Sequence, residues 1–124
     1  MIVPMLVRDV MTRRVLTIDA DQSIDAARAR MVEAGVQQLV VRGKRGGVKG
    51  VIGRADLGGA PRTAKIGDFM PRRLLSVTPD TSIGRAASVM RHQALRSLPV
   101  MSGKRLLGIV TVSDLLSLLD TEEA

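Results

Sequence analysis

Thr111, Ser113 and Asp114 stand within four positions of one another in the segment G-I-V-T-V-S-D (108–114). An apolar strand pattern gives way there to a helical one. Two hydroxyls and a carboxylate at a helix start can do recognisable chemistry. N–H groups left unbonded at the start of a helix, with its dipole behind them, favour a phosphate. An acidic residue beside them can accept from both hydroxyls of a ribose, as it does in dinucleotide folds. The same residues also suffice for a helix N-cap, with Ser113 or Asp114 as the cap. The segment alone leaves both readings open. A related segment, G-V-I-G-R-A-D (50–56), keeps Asp56 but carries Gly53 and Ala55 where hydroxyl residues would stand.

Other chemistries find few residues to work with. The chain has no cysteine, which excludes disulfides and thiol catalysis. His92 is the only histidine, set in a helical pattern and expected on the surface. The usual zinc sets and a Ser-His-Asp arrangement both need more. No catalytic or metal residue is therefore assigned, and no enzyme is expected. The net charge of +7 is spread, with +4 over residues 1–59 and +3 over 60–124. Such a surface favours anionic partners. Phe69 is the sole aromatic, so base stacking, the usual means of gripping single strands, is missing and nucleic acid is a weak reading. No apolar run nears the roughly 18 residues of a membrane span. MIVPML is too short and broken for a signal peptide, so a cytoplasmic location away from membranes is expected.

The elements that must position these residues come from a repeat. At a spacing of 59, Asp9 matches Asp68, Met11 matches Met70, and Arg13-Arg14 match Arg72-Arg73. Ser23-Ile24 match Ser82-Ile83, Met31 matches Met90, and Val41 matches Val100. The spacing then drops to 58, pairing Gly50 with Gly108 and Asp56 with Asp114. The lost residue falls between the turns RGKRGG (42–47) and SGKR (102–105), where a length change is tolerated best. Two units are expected, 1–59 and 60–124.

Each unit reads alike. A strand is expected at Val15–Ile18 or Leu74–Val77, then a helix with its apolar stripe on Ile24, Ala27, Met31 and Ala34, or Ile83, Ala86 and Met90. Ser23 or Asp21, and Ser82 or Asp80, suit the N-cap, and Gly35 suits the first helix end. A hairpin of Leu39–Val41 with Val48–Ile52 follows, matched by Leu98–Met101 with Leu106–Thr111. Pro99 is expected at an edge or outside the hydrogen-bond ladder. A last helix starts near Asp56 or Asp114, and Gly58, Gly59 and Pro61 should stop the first copy after about one turn. Met11 and Met70 are expected to pack or to line a pocket.

The chain resembles the CBS domain family, named after cystathionine β-synthase, in its tandem form, from Val7 to Leu119. V-R-D-V-M-T (7–12), I-G-D-F-M-P (66–71), V-T-P-D-T-S-I (77–83), R-S-L-P-V (96–100) and G-I-V-T-V-S-D-L-L (108–116) carry the likeness. It implies an α+β fold of two β-α-β-β-α units related by a pseudo-two-fold axis and packed through their sheets. It further implies an adenine nucleotide (AMP, ADP or ATP), or an S-adenosyl compound, in composite clefts. The main cleft would join Ile109, Thr111, Ser113 and Asp114 to Arg14, Val15, Leu16, Gln37 and Gln38. A weaker one would join Asp56 to Leu74, Leu75, Arg96, Ser97 and Pro99. Arg54, Arg73 or Arg96 either stands in for the absent hydroxyls or is a solvated surface arginine.

The leading reading is thus a regulatory module that senses an adenine nucleotide, uses no catalytic cofactor and controls a separate partner chain. Its rival is a ligand-free pair serving dimerisation or docking. A homodimer is expected because DLLSLL (114–119) holds more leucine than one short helix buries.

Overall fold

Ser23 and Ser82 open their helices by the same device. Their hydroxyls accept from the backbone N–H of Ala26 at 3.0 Å and of Arg85 at 3.1 Å, satisfying a donor that every helix start leaves unpaired. In the computed structural model, which describes residues 5–70 and 74–123, the order is α1 (Val7–Val10), β1 (Thr17–Asp19), α2 (Ile24–Ala34), β2 (Gln38–Arg42) and β3 (Val48–Gly53). There follow α3 (Ile83–His92), β4 (Ser97–Ser102), β5 (Arg105–Thr111) and α4 (Val112–Glu123). Short 3-10 turns occupy Arg54–Leu57 and Ile66–Asp68. The first of these is the expected helix, stopped after four residues. The α+β class agrees with the sequence.

Two compact units form: Val15–Leu74, and the segment up to Arg14 with Leu75 onward. The sequence repeat and the compact units thus cut the chain differently. Val7 of α1 lies in the core with Val77, Ala86, Met90, Leu98, Val100 and Val110. Ile66 and Met70 lie with Ile18, Ile24, Ala27, Met31, Leu39, Val41, Ile52 and Leu57. Each core is therefore completed by the short turn that precedes the other repeat. Seven positions match, Ala27 with Ala86, Met31 with Met90 and Leu39 with Leu98 among them, whereas Ile83, expected on the stripe like Ile24, is only half-buried. Full burial of each large apolar side chain contributes about 1.5–3 kcal/mol. Ala34, placed on the stripe by periodicity, is exposed instead. It sits at the helix end, beyond the reach of the core.

Met11 and Met70 pack, as one of the two expectations had it. Met70 is buried in the first core, and Met11 is partly buried against the second. Beside Met11, a Cβ on Gly108 would stand 2.5 Å from the Thr12 carbonyl oxygen. Only glycine lets that chain approach, and Thr12 uses the approach to bond Ile109 in both directions, at 2.8 and 2.9 Å.

The sheets differ in one respect. In the first unit β1 pairs parallel with β2, and β2 antiparallel with β3. In the second, β4 pairs with β5, and the expected strand at Leu74–Val77 is reduced to a bridge between Val77 and Val100. Two prolines account for this. The first sheet has bonds from the Val40 N–H to Leu16 at 3.0 Å and from the Ala20 N–H to Arg42 at 2.8 Å. Pro99 and Pro79 occupy the positions of Val40 and Ala20, and neither has an N–H to give. The two inner bonds survive, Val77 N–H to Pro99 and Met101 N–H to Val77, at 3.1 and 2.8 Å. Pro99 faces Ile109, whose own N–H and carbonyl are turned to Thr12. It stands outside the β4–β5 hydrogen bonds, as expected, though between two neighbours rather than at an edge.

Candidate functional site

The turn from β5 into α4 is closed by a reciprocal pair of bonds. The Thr111 N–H donates to Asp114 Oδ2 at 2.9 Å, and the Asp114 N–H donates to Thr111 Oγ1 at 3.0 Å. This is a capping box with Thr111 as N-cap and Asp114 three residues on. It corrects the assignment of Ser113 or Asp114 as the cap. The Val112 N–H is taken too, by the Arg96 carbonyl at 2.9 Å. The free N–H groups expected at this junction are therefore mostly engaged, because the box and the neighbouring strand reach them first.

What remains available is more limited and better defined. The Thr111 hydroxyl accepts from Asp114 and still has its proton to donate. Asp114 Oδ1 and the Ser113 hydroxyl have no partner among the described residues. Thr111 and Asp114 are half-buried, and Ser113 is exposed. The set offers two hydroxyl donors and one carboxylate oxygen, held by a rigid turn at a helix N-terminus. Its chemistry suits an oxyanion together with a hydroxyl.

The corresponding turn after β3 has one arm only. The Gly53 N–H donates to Asp56 Oδ2 at 2.6 Å, but Gly53 has no hydroxyl to answer the Asp56 N–H. The Arg54 N–H goes to the Gln37 carbonyl at 3.0 Å. Arg54, Ala55 and Asp56 are exposed. This turn presents a carboxylate without hydroxyl donors.

Within the units, the structure brings Asp114 and Thr111 together with Arg96 and Ser97, since Ser97 pairs with Thr111. It likewise brings Asp56 together with Gln37 and Gln38, since Gln38 pairs with Gly53. Arg14 and Ile109 belong to the unit of Asp114, whereas Val15, Leu16, Gln37 and Gln38 belong to the other. Leu74 belongs to the unit of Asp56, and Leu75, Arg96, Ser97 and Pro99 to the unit of Asp114. Arg14, Gln37, Leu74 and Arg96 are exposed, Val15, Leu16, Gln38, Leu75 and Ser97 half-buried, and Ile109 and Pro99 buried. Arg73 lies outside the described residues. His92 is exposed, its Nδ1 2.8 Å from the Ser88 carbonyl oxygen. Sequence reasoning missed Thr12, whose backbone clamps Ile109 beside the turn. The pairing of Met11 and Gly108 with Met70 and Gly50 in the repeat was the available signal.

Comparison with known proteins agrees with the motif reading. The sequence model of the CBS domain matches residues 7–60 and 66–121. The chain is 35% identical over 112 residues to a homoserine O-acetyltransferase of Methanococcoides burtonii, covering 88% of this chain but only 23% of that protein. Among solved structures, the CBS domain pair of protein MJ0100, in complex with 5′-methylthioadenosine and S-adenosyl-L-methionine, superposes with a TM-score of 0.87. It covers 96% of this chain and 98% of that one at 23% identity. The cytosolic domain of the Mg2+ channel MgtE, in complex with ATP, gives 0.74 at 25% identity, covering 88% of this chain and 46% of that one. The chain belongs to the CBS domain family and has its fold, with two units.

Proposed function

We propose that this CBS pair is a regulatory module that binds an adenine nucleotide, of the AMP, ADP or ATP type, and through it controls a partner protein. The observation that carries the reading is the Thr111–Asp114 turn. Its capping box fixes the geometry while leaving hydroxyl protons and Asp114 Oδ1 for a ligand, a preorganised set that loses little freedom on binding. The ATP complex of MgtE supports an adenine ligand for a fold of this kind. The acetyltransferase relative, matched over 23% of its length, supports a module that accompanies chemistry carried out elsewhere. The Gly53–Asp56 turn, lacking hydroxyls, is the weaker site. A homodimer fits the same picture, since Leu116 of α4 is 56% exposed.

The rival reading, a ligand-free interaction module, draws on the same turn, because a capping box is sufficient reason for Thr111 and Asp114. Purified protein separates the two. The chain has neither Trp nor Tyr, so a co-purified adenine would dominate its ultraviolet spectrum. Calorimetry against AMP, ADP, ATP and S-adenosylmethionine should show saturable binding of one of them. No adenine band and no heat from any ligand up to about 1 mM, a binding energy near 4 kcal/mol, would leave the interaction module standing.

A further inference from the structure

The first unit holds a cleft of about 830 Å3, lined entirely by residues of Val15–Leu74. It lies between the end of β1, the loop from β2 to β3 and the Ile66–Asp68 turn. Lys44 and Arg45 reach it from the loop, Lys49 from β3, and Lys65 from just before the turn. Three carboxylates, Asp19, Asp21 and Asp68, line it as well.

The repeat shows what opens it. Gly67 corresponds to Arg8, Lys65 to Leu6, and Asp21 to Asp80. In the second unit Arg8 is ion-paired with Asp80, so the side chain at that position is tied to the carboxylate. Gly67 brings no side chain, and Asp21 has no such partner among the described residues. The loop differs too. Between the matching pairs Arg42–Val48 and Met101–Leu106, five residues, Gly43–Gly47, take the place of four, Ser102–Arg105. They are held in place: the Gly43 N–H donates to Gly47 at 2.8 Å, the Gly46 N–H to Gly43 at 2.9 Å, and the Arg42 guanidinium to Gly46 at 2.5 Å. Lys49 replaces the equivalent of Leu107. Glycine in place of an ion-paired arginine, lysines at 49 and 65 in place of leucines, and an internally bonded loop one residue longer all fall on one cleft.

The lining chemistry selects a class of ligand. Lysine and arginine hold a phosphate by charge-assisted hydrogen bonds. The carboxylates of Asp19, Asp21 and Asp68 are acceptors suited to hydroxyl protons. We infer that this cleft binds a phosphorylated, hydroxyl-bearing small molecule of the sugar-phosphate class, independently of the Thr111–Asp114 turn.

Titration followed by backbone amide NMR tests this on the full chain, with glycerol phosphate, inorganic phosphate and glycerol as probes. Glycerol phosphate should saturably shift the amides of Gly43, Gly46, Gly47 and Gly67, at least about tenfold more tightly than inorganic phosphate (about 1.4 kcal/mol), and glycerol should shift none. Lys65→Leu and Gly67→Arg, which install the second unit's residues, should each weaken the effect by about tenfold or more. Lys65 is an exposed residue, so that variant keeps the test valid if Gly67→Arg folds poorly. Absence of saturable shifts, or shifts that both variants leave unchanged, would overturn the site. Equal affinity for glycerol phosphate and inorganic phosphate would overturn the assignment of a hydroxyl-bearing ligand.

Discussion

The strand-to-helix turns at Gly53–Asp56 and Thr111–Asp114 descend from one pattern and differ at the hydroxyls. Both aspartates accept from the backbone N–H three residues back. Only Thr111 returns a bond, at 3.0 Å to the Asp114 N–H. The one-armed turn leads into a 3-10 turn of four residues, the two-armed turn into a twelve-residue helix. Gly58, Gly59 and Pro61 also stop the first helix, so the hydroxyl alone does not set its length. The lesson is that an aspartate shared by two repeats marks a fold requirement common to both. Under the proposed function, the pair of hydroxyls that only one turn carries is what separates the two.

That contrast breaks most visibly on ligand affinity. Asp114→Ala removes the carboxylate that the proposed function assigns to a nucleotide. It should weaken adenine-nucleotide binding by about 2–4 kcal/mol, roughly thirty- to a thousand-fold. Asp56→Ala should cost less. Both variants lose a capping bond, worth about 0.5–2 kcal/mol of stability, so calorimetry must be paired with thermal unfolding. Unchanged affinity in Asp114→Ala, or greater damage from Asp56→Ala, would overturn the assignment of the nucleotide to the Thr111–Asp114 turn.

The ends of the two long helices sharpen the comparison at smaller scale. Gly35 closes α2 at φ 67°, and Ala94 occupies the matching position after α3 at φ 53°. The following residues make the same closing bond, Val36 N–H to Met31 at 3.0 Å and Leu95 N–H to Met90 at 2.8 Å. Left-handed backbone costs a residue with a Cβ about 1–2 kcal/mol, partly offset by the freedom glycine retains when unfolded. Ala94→Gly should therefore stabilise the protein by about 0.5–1 kcal/mol, and Gly35→Ala should destabilise it by a similar amount. Denaturant unfolding of both variants reads the two signs directly. Equal signs would mean that the two closures are not equivalent.

Much of this was legible in the residues. The caps were narrowed to Ser23 or Asp21 and Ser82 or Asp80, of which the serines act, and spacing of Ile24, Ala27 and Met31 announced the buried face, because both depend on local geometry. The exchange of short turns between cores was not legible. A spacing of 59 says that Val7 matches Ile66 but not which core each one enters. Thr111 as N-cap was missed for a related reason: strand and helix patterns overlap at 111–114, and only the bonds show where one ends. The cleft beside Gly67 needed the fold as well. The replacement of Arg8 by glycine is visible in the repeat, but that Arg8 reaches Asp80 is not.

Pro99 supplies the smallest and most specific break. It stands where the first unit has Val40, so the Leu75 carbonyl lacks the N–H that Leu16 receives. Pro99→Val places at that position the residue the first unit already accommodates in a buried site. A new hydrogen bond contributes about 0.5–1.5 kcal/mol net. Loss of proline's restraint on the unfolded chain offsets about 0.4–1 kcal/mol of it. Stability should accordingly change by less than about 1 kcal/mol, and the informative signal is the amide itself. Hydrogen exchange should show residue 99 protected to the degree of Val40, with the pairing at Val77 extended back toward Leu75. An amide at 99 that exchanges like a loop would mean that the shorter pairing in the second unit is imposed by something other than the missing donor.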